Sequence, residues 1–540
     1  MPIHQRATTG TSPQTMNKQC SLSSSSADTV EFTESELEAG LRRVNAHLEP
    51  SIAYPGSVRI LLIPSANPIS FDVVPHGITS KRHSFILDTN GSHSSNTVKY
   101  FAITQSSHDI GCVVEAFTLK PERKKVLACQ IYFDPRQDRM IAVNLLTENV
   151  VMRSSTTEIS VESYHPTPLD PGVYYVFLSN GLHTFNLQLF HRQRHESQEA
   201  RIQSKAEVDQ VSTRKRHFQS SQGDPNKGKQ RVIGGSIGSV FVLSTAARIA
   251  SCPESGVDYT LTRGKDIAAN GASSVYTASH SMFPGKTIVV KVIKTAKNSS
   301  DAVDPEKVIS AAELWLREVK IHSQLSHPAV LRLFEADARF LTLYLEHIDA
   351  PDLGACRDAP SDYCNLNESD AKRIFIDTST ALLYIHSQGF VHNDMKAANI
   401  LYTPHRGALV IDFGLAVSAA DAKATGGTPG YLPPEYLSNR LQGRAGDVWA
   451  LGIVMLYVLG RVPLPERSTY WVIPHLGSRK DKEREKARSS MKSWLQRVSK
   501  TRSQLGNESS TLTGLVWEML EPDLSHRIGL SQLVEDLNLL

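Results

Sequence analysis

VHNDMKAANILYTPHRGALVIDFGLA, residues 391–416, decides how the whole chain is read. It sets a carboxylate (Asp394), an ammonium (Lys396) and an amide (Asn399) on what reads as a short loop after a helix. A second carboxylate, Asp412, follows thirteen residues after Asn399. A lone Asp-Phe-Gly or His-x-Asp occurs by chance on the loops of many chains, but this joint order and spacing does not. Groups of these types suit phosphoryl transfer, where a protein holds phosphates, metal ions and an acceptor hydroxyl in line and does little covalent work itself.

The stretch resembles the protein kinase family, whose catalytic loop reads His-Arg-Asp-Leu-Lys-x-x-Asn and whose metal loop reads Asp-Phe-Gly. The resemblance runs over residues 258–540 and implies an α+β, two-lobed kinase fold, with an N-lobe at 258–346 and a C-lobe at 347–540. It implies a serine/threonine-protein kinase that uses ATP and Mg2+ and acts on a protein substrate with a Ser/Thr acceptor. Asp394 then accepts or orients the acceptor proton, Lys396 balances charge on the moving phosphoryl, and Asn399 and Asp412 bind Mg2+. Lys in the second place after Asp394 is the form typical of Ser/Thr kinases.

Upstream, KTIVVKVIK (286–294) alternates like a strand and offers Lys291 at the position of the family's phosphate-binding lysine. ELWLREVKIHSQLSHPAVLRL (313–333) follows as an amphipathic helix, with Glu318 as the ion-pair partner of Lys291. TLYLEHIDAPDL (342–353) resembles a strand running into the adenine hinge. By that resemblance Glu346 and His347 present backbone groups to adenine, Leu345 guards the pocket, and Val275 and Leu401 sandwich the base. GGTPGYLPPE (426–435) resembles the end of an activation segment and sets Thr428 beside the catalytic Asp. Glu435 is expected to pair with Arg527, and Asp447 to cap the catalytic-loop backbone, as structural groups.

Three departures qualify the resemblance. Of two glycine-rich stretches, IGGSIGSVF (233–241) lies more than 50 residues before Lys291, too far for a strand hairpin. IAANGASSVYTA (267–278) puts Val275 sixteen residues before Lys291, which suits a hairpin but keeps one glycine, Gly271, where the family usually has three. Glycines there let backbone amides approach phosphates, so Ala268, Asn270 and Ser273 imply weaker ATP binding, and Val289 in place of Ala implies a crowded adenine site. Asn393 replaces the Arg that pairs with an activation-segment phosphate in many kinases. A non-RD kinase of this kind should respond weakly to phosphorylation at Thr425 or Ser418, leaving a partner or the amino-terminal module to hold the active form.

Residues 57–192 carry short apolar runs broken by Pro, Gly and Asn, an all-β signature. CQIYFDPRQDRMIAVNLL (129–146) and PLDPGVYYVFLSNGLHTFNLQLF (168–190) read as a small sandwich with strands ending in a tight Pro-Gly turn. Its place before a kinase resembles that of a forkhead-associated domain, although the Gly-Arg and Ser-x-x-His elements of that family are not evident. An interaction module with a protein partner is the expectation. A polar lead, 1–56, with one amphipathic helix at Thr33–Ala46 precedes it; a basic linker, 193–232, and a lead-in strand and connector, 233–257, follow. The stretch Arg467–Leu505, rich in Lys, Arg and Ser, reads as an enlarged C-lobe loop containing a helix.

At 40% hydrophobic and 21% charged, with a net charge of +3, the composition is that of a soluble globular protein and points to neither nucleic acid nor a membrane. The longest apolar stretch, Val448–Leu459, is too short to span a bilayer and reads as a buried helix. Six cysteines lack metal-ligand spacing and read as reduced thiols. An intracellular address, cytoplasmic or nuclear, follows from the lack of a secretory signal. The rival function from another class is a pseudokinase scaffold that uses the fold to bind partners and transfers nothing.

Overall fold

The computed structural model describes residues 58–64, 69–78, 84–88, 99–118, 123–191, 232–233, 248–250, 259–296, 304–420, 426–440 and 443–539. The helix read at Thr33–Ala46, most of the linker and of the stretch 233–241, and Thr425 lie outside them. The chain divides into two compact units, Met1–Leu48 and Glu49–Leu540, and every described residue belongs to the second.

The amino-terminal module is a two-sheet sandwich. Its strands are β1 (Val58–Pro64), β2 (Ile69–Gly77), β3 (Ser84–Asp88), β4 (Lys99–Thr104), β5 (Asp109–Thr118), β6 (Lys125–Phe133), β7 (Met140–Asn144), β8 (Val150–Arg153), β9 (Glu158–Val161), β10 (Thr167–Leu169), β11 (Gly172–Leu178) and β12 (His183–Leu189). They form a seven-stranded sheet, β3-β4-β1-β12-β11-β8-β9, and a five-stranded sheet, β10-β7-β6-β5-β2. Inward residues of both sheets, among them Ile60, Leu62, Val114, Leu127, Ala142, Val176 and Leu187, form one core, the alternation expected of facing sheets. Apolar runs read in the sequence at 58–63, 85–88, 126–133, 140–145, 172–178 and 184–190 lie on or overlap β1, β3, β6, β7, β11 and β12, and the described part of 98–103 lies on β4, whereas β2, β5, β8, β9 and β10 were not anticipated. The Pro-Gly turn joins β10 to β11, which lie in different sheets.

The second body begins with a seven-stranded sheet in the order β13 (Val232–Ile233), β14 (Arg248–Ala250), β15 (Thr260–Ala269), β16 (Ser273–His280), β17 (Thr287–Ile293), β19 (Thr342–Glu346), β18 (Leu333–Asp337). Helix α1 (Pro305–His322) packs beside it; Asp304 caps its first turn by accepting from the Glu306 amide, and Pro305 occupies the first turn, where no donor is lost. The helix therefore starts eight residues earlier than the expected segment and stops at His322. Beneath lie the helices α2 (Glu368–Ser387), α3 (Arg444–Val458), α4 (Asp481–Leu505), α5 (Thr511–Met519) and α6 (Leu530–Asn538). Strands β20 (Phe390–Val391), β21 (Ile400–Thr403), β22 (Gly407–Val410) and β23 (Val417–Ser418) form two small ribbons. Helix α3 is buried along almost its whole length, so its unbroken apolar run is a core helix. In the stretch expected as an enlarged loop with a helix, the helix is α4, which takes up most of it and whose Ala487, Met491, Trp494 and Val498 recur at helical spacing and are buried.

Candidate active site

Lys291 sits in β17, opposite Val275 of β16 and Leu343 of β19. Its neighbours Val290 and Val292 turn into the sheet's apolar cluster, so the period of two sends Lys291 the other way, toward the helical body. There its ammonium donates to both carboxylate oxygens of Glu318, at 2.7 and 2.9 Å, and to Asp412 Oδ1, at 2.7 Å. One cation thus joins a strand, helix α1 and the loop after β22. Burial would push Lys291 down, but the carboxylates of Glu318 and Asp412 hold it above its ordinary value. Asp412 would be raised by burial, and the same ammonium instead brings it down to about 2, so it is ionised at neutral pH.

Phe413, fully buried, anchors the Asp412 loop between the rings of His322, at 4.7 Å, and His392, at 5.2 Å. A Cβ at Gly414 would lie 3.3 Å from Asp412 Oδ1, 3.5 Å from Glu318 Oε2 and 3.8 Å from Lys291 Nζ, so glycine keeps this knot of charges uncrowded.

The second cluster surrounds Asp394. Lys396 Nζ donates to Asp394 Oδ2 at 2.6 Å and to Thr428 Oγ1 at 3.1 Å, and Thr428 donates to Asp394 Oδ1 at 2.6 Å. Asn399 Nδ2 donates to the Asp394 carbonyl at 2.8 Å and to its Oδ2 at 3.2 Å, leaving the amide oxygen as a donor atom for a metal. Asp447, at the start of α3, accepts the His392 and Asn393 amides at 2.8 Å each and bonds His386 Nε2 at 2.8 Å, fixing the backbone that presents Asp394. Arg527 meets Glu435 through two hydrogen bonds, at 2.8 and 2.9 Å, beneath the Thr428 segment.

Around the expected base pocket, Leu345 is buried, Val275 and Leu401 are half-buried, and β19 ends at Glu346, with His347 next. The Glu346 amide already donates to the Arg332 carbonyl at 2.9 Å, which removes that donor from adenine. Gly271 lies at the open tip of the β15–β16 hairpin, where a Cβ would meet nothing within 4 Å, so space does not demand glycine. The preceding Asn270 folds its side chain over the turn: Oδ1 accepts the Ala272 and Ser273 amides at 2.8 and 2.7 Å.

Sequence reasoning missed the supports of the Thr428 segment. Tyr431 donates to Glu466 at 2.7 Å and accepts the Ala397 amide at 3.3 Å, and Trp494 of α4 donates to the Gly430 carbonyl at 2.8 Å. No local pattern announced them, because each joins distant parts of the chain.

Among the described residues no cluster of three or more His, Cys, Asp or Glu is able to hold a metal ion alone. Mg2+ commonly takes one or two protein ligands and completes its shell with phosphate oxygens and water. Asp412 Oδ2 and Asn399 Oδ1, neither engaged by a described residue, are oxygen ligands of that kind. No helix among the described residues is long and apolar enough to cross a membrane.

The protein kinase domain family matches residues 263–537. Among curated relatives, the chain is 33% identical over 218 residues to CBL-interacting protein kinase 25 of Oryza sativa subsp. japonica, covering 38% of this chain and 40% of that one. It is 30% identical over 209 residues to calcium/calmodulin-dependent protein kinase type 1 of Macrobrachium nipponense, covering 37% and 56%. The probable serine/threonine-protein kinase MARK-A of Dictyostelium discoideum is 30% identical over 228 residues, covering 41% and 20%. The chain thus spans between 20% and 56% of the length of these relatives.

Proposed function

Because the chain belongs to the protein kinase family, by a match over residues 263–537, we propose that it is a serine/threonine-protein kinase that moves the γ-phosphoryl group of ATP to Ser or Thr hydroxyls of protein substrates. The observation that carries this reading is the triangle of Asp394, Lys396 and Thr428, each within 3.1 Å of the next. Thr428 brings an alcohol to the Asp394 carboxylate in the manner an acceptor Ser or Thr would.

Asp394 orients the acceptor hydroxyl and takes its proton, Lys396 offsets charge on the transferring phosphoryl, and Lys291, steered by Glu318, holds the nucleotide phosphates. Asn399 and Asp412 are the residues that would hold Mg2+, which when bound neutralises the phosphate oxygens. Glu435 with Arg527, and Asp447, keep the two loops in register without touching substrate.

The test compares the full chain with Asp394→Ala for ATP-dependent labelling of a Ser/Thr protein substrate. Labelling should fall by about a thousandfold or more, since base and positioning are lost together. Equal labelling by the two proteins would leave the scaffold reading standing in place of the enzyme.

A further inference from the structure

At one end of the outer face of the sandwich's five-stranded sheet lies an apolar patch that is closed to solvent. Ile110, Tyr132 and Ile141 are 2%, 4% and 0% exposed, although neighbours such as Cys112, Ile131, Phe133, Met140 and Ala142 fill the sandwich interior. The three instead belong to the apolar cluster built around Val308, Ala311, Ala312, Trp315 and Val319 of α1. For Ile110 the cause is a β-bulge. The register moves from His76↔Gly111 to Gly77↔Asp109, and the extra residue turns from the sandwich core toward the helix.

Polar contacts lie on the same face. His76, Gly111, Tyr132 and Ile141 form one cross-strand row. With no side chain at Gly111, the rings of His76 and Tyr132 come to 5.8 Å of each other. Both donate to Glu313 Oε1 of α1, His76 Nε2 from 2.8 Å and the Tyr132 hydroxyl from 2.6 Å. Burial would raise the Glu313 carboxyl, but the bonds from His76 and Tyr132 hold it below the ordinary range, so these donors meet a carboxylate. A further tie runs from the Ala338 amide to the Ser107 carbonyl, at 2.7 Å, fixing the turn between β18 and β19.

Glu313 and Glu318 share one helix and lie about 140° apart around its axis at about 100° per residue. A helix gripped at Glu313 is thereby set in rotation and height where Glu318 meets Lys291. We propose that Tyr132 and His76 are positioning residues of the catalytic domain: through Glu313 the sandwich clamps α1 so that Glu318 stays on Lys291, in place of the activation-segment phosphate for which Asn393 supplies no counter-charge. The assignment rests on the kinase reading for its effect on turnover, and on the fold alone for its effect on the helix.

The experiment uses the full chain and the variants Glu313→Ala, Glu313→Gln and Tyr132→Phe, which keeps the ring in the cluster and removes only the hydroxyl. Backbone hydrogen exchange across Trp315–Val319 should speed up in Glu313→Ala and Tyr132→Phe while exchange in α3 is unchanged. In the labelling assay kcat should fall about tenfold to a hundredfold in Glu313→Ala, with the thermal midpoint moving little. Glu313→Gln, whose amide oxygen still accepts both donors, should recover most of both signals. Unchanged exchange in α1, or a kcat loss that Glu313→Gln fails to rescue, overturns the clamp. If the parent protein labels nothing, the kinase reading fails while the exchange result still decides the clamp.

Discussion

Asn270 supplies the sharpest quantitative prediction. In the β15–β16 hairpin, proposed to cover the nucleotide phosphates, its Oδ1 accepts the amides of Ala272 and Ser273, at 2.8 and 2.7 Å. For those amides to point at phosphate oxygens the side chain must let go. Each neutral hydrogen bond contributes about 1 kcal/mol net, so releasing two costs about 2 kcal/mol, or roughly thirtyfold in affinity. Asn270→Ala removes that competition without the backbone freedom of glycine, and KM for ATP should drop about tenfold to thirtyfold, with kcat unchanged. Asn270→Asp keeps the acceptor and adds a negative charge facing the phosphates, so it should move KM the opposite way. ATP titrations under initial-rate conditions, with the thermal midpoint as a check on folding, decide the matter. A KM that stays put or rises in a folded Asn270→Ala protein would refute the idea that the loop competes with its own substrate.

Two further expectations concern stability. Arg527→Ala leaves Glu435 without its partner beneath the Thr428 segment and also frees the Ala445 carbonyl; breaking a buried pair of this kind costs about 3–5 kcal/mol, to be read as a lowered denaturant midpoint. His280 and His322, both pushed down by burial to about 4, give the protein an acid-sensitive window. Unfolded histidines bind a proton near pH ~6.5, whereas these two do so only near 4, so their contribution is whole above ~6.5 and is lost as pH falls from there to about 4. The loss is up to about 3 kcal/mol for each ring. Thermal midpoints measured across that range should fall steeply, and His322→Leu should flatten part of the slope; an unaltered slope would mean that His322 is not the group that titrates.

The residues of the candidate site could be picked out because their chemical types stand at short, typed spacings. Asp394, Lys396 and Asn399 lie on one loop, and Lys291 declares itself by interrupting an alternating strand. The start of α1 was legible too, in Asp304-Pro305-Glu306, a cap, a ring and an acid in order, but the apolar pattern further on drew the boundary instead. Strands β2 and β5 were harder: β2 carries Pro75 and His76 inside it, and β5 is bent by the bulge at Ile110, so neither shows clean alternation. Trp494 and Glu466 were beyond reach, since their partners Gly430 and Tyr431 are distant in the chain.

One departure from the family pattern gains its meaning from the fold. Asn393 adopts φ 62°, a backbone region that Asn tolerates better than most residues, and its Nδ2 donates to the Leu415 carbonyl at 3.3 Å, tying the Asp394 loop to the Asp412 loop. An Asn there has no charge to offer a phosphate, and the two loops are joined instead by this neutral hydrogen bond. Holding α1 is a separate requirement, and that helix is gripped from two directions, by Lys291 through Glu318 and by the sandwich through Glu313. Apolar residues on the outer face of β6 and β7, Tyr132, Ile141 and Val143, signal that grip in the sequence itself. A sheet with one wet face would carry polar residues at those positions. Their apolar character means that the module was built to be covered, and the surface that covers it is the helix that carries Glu318.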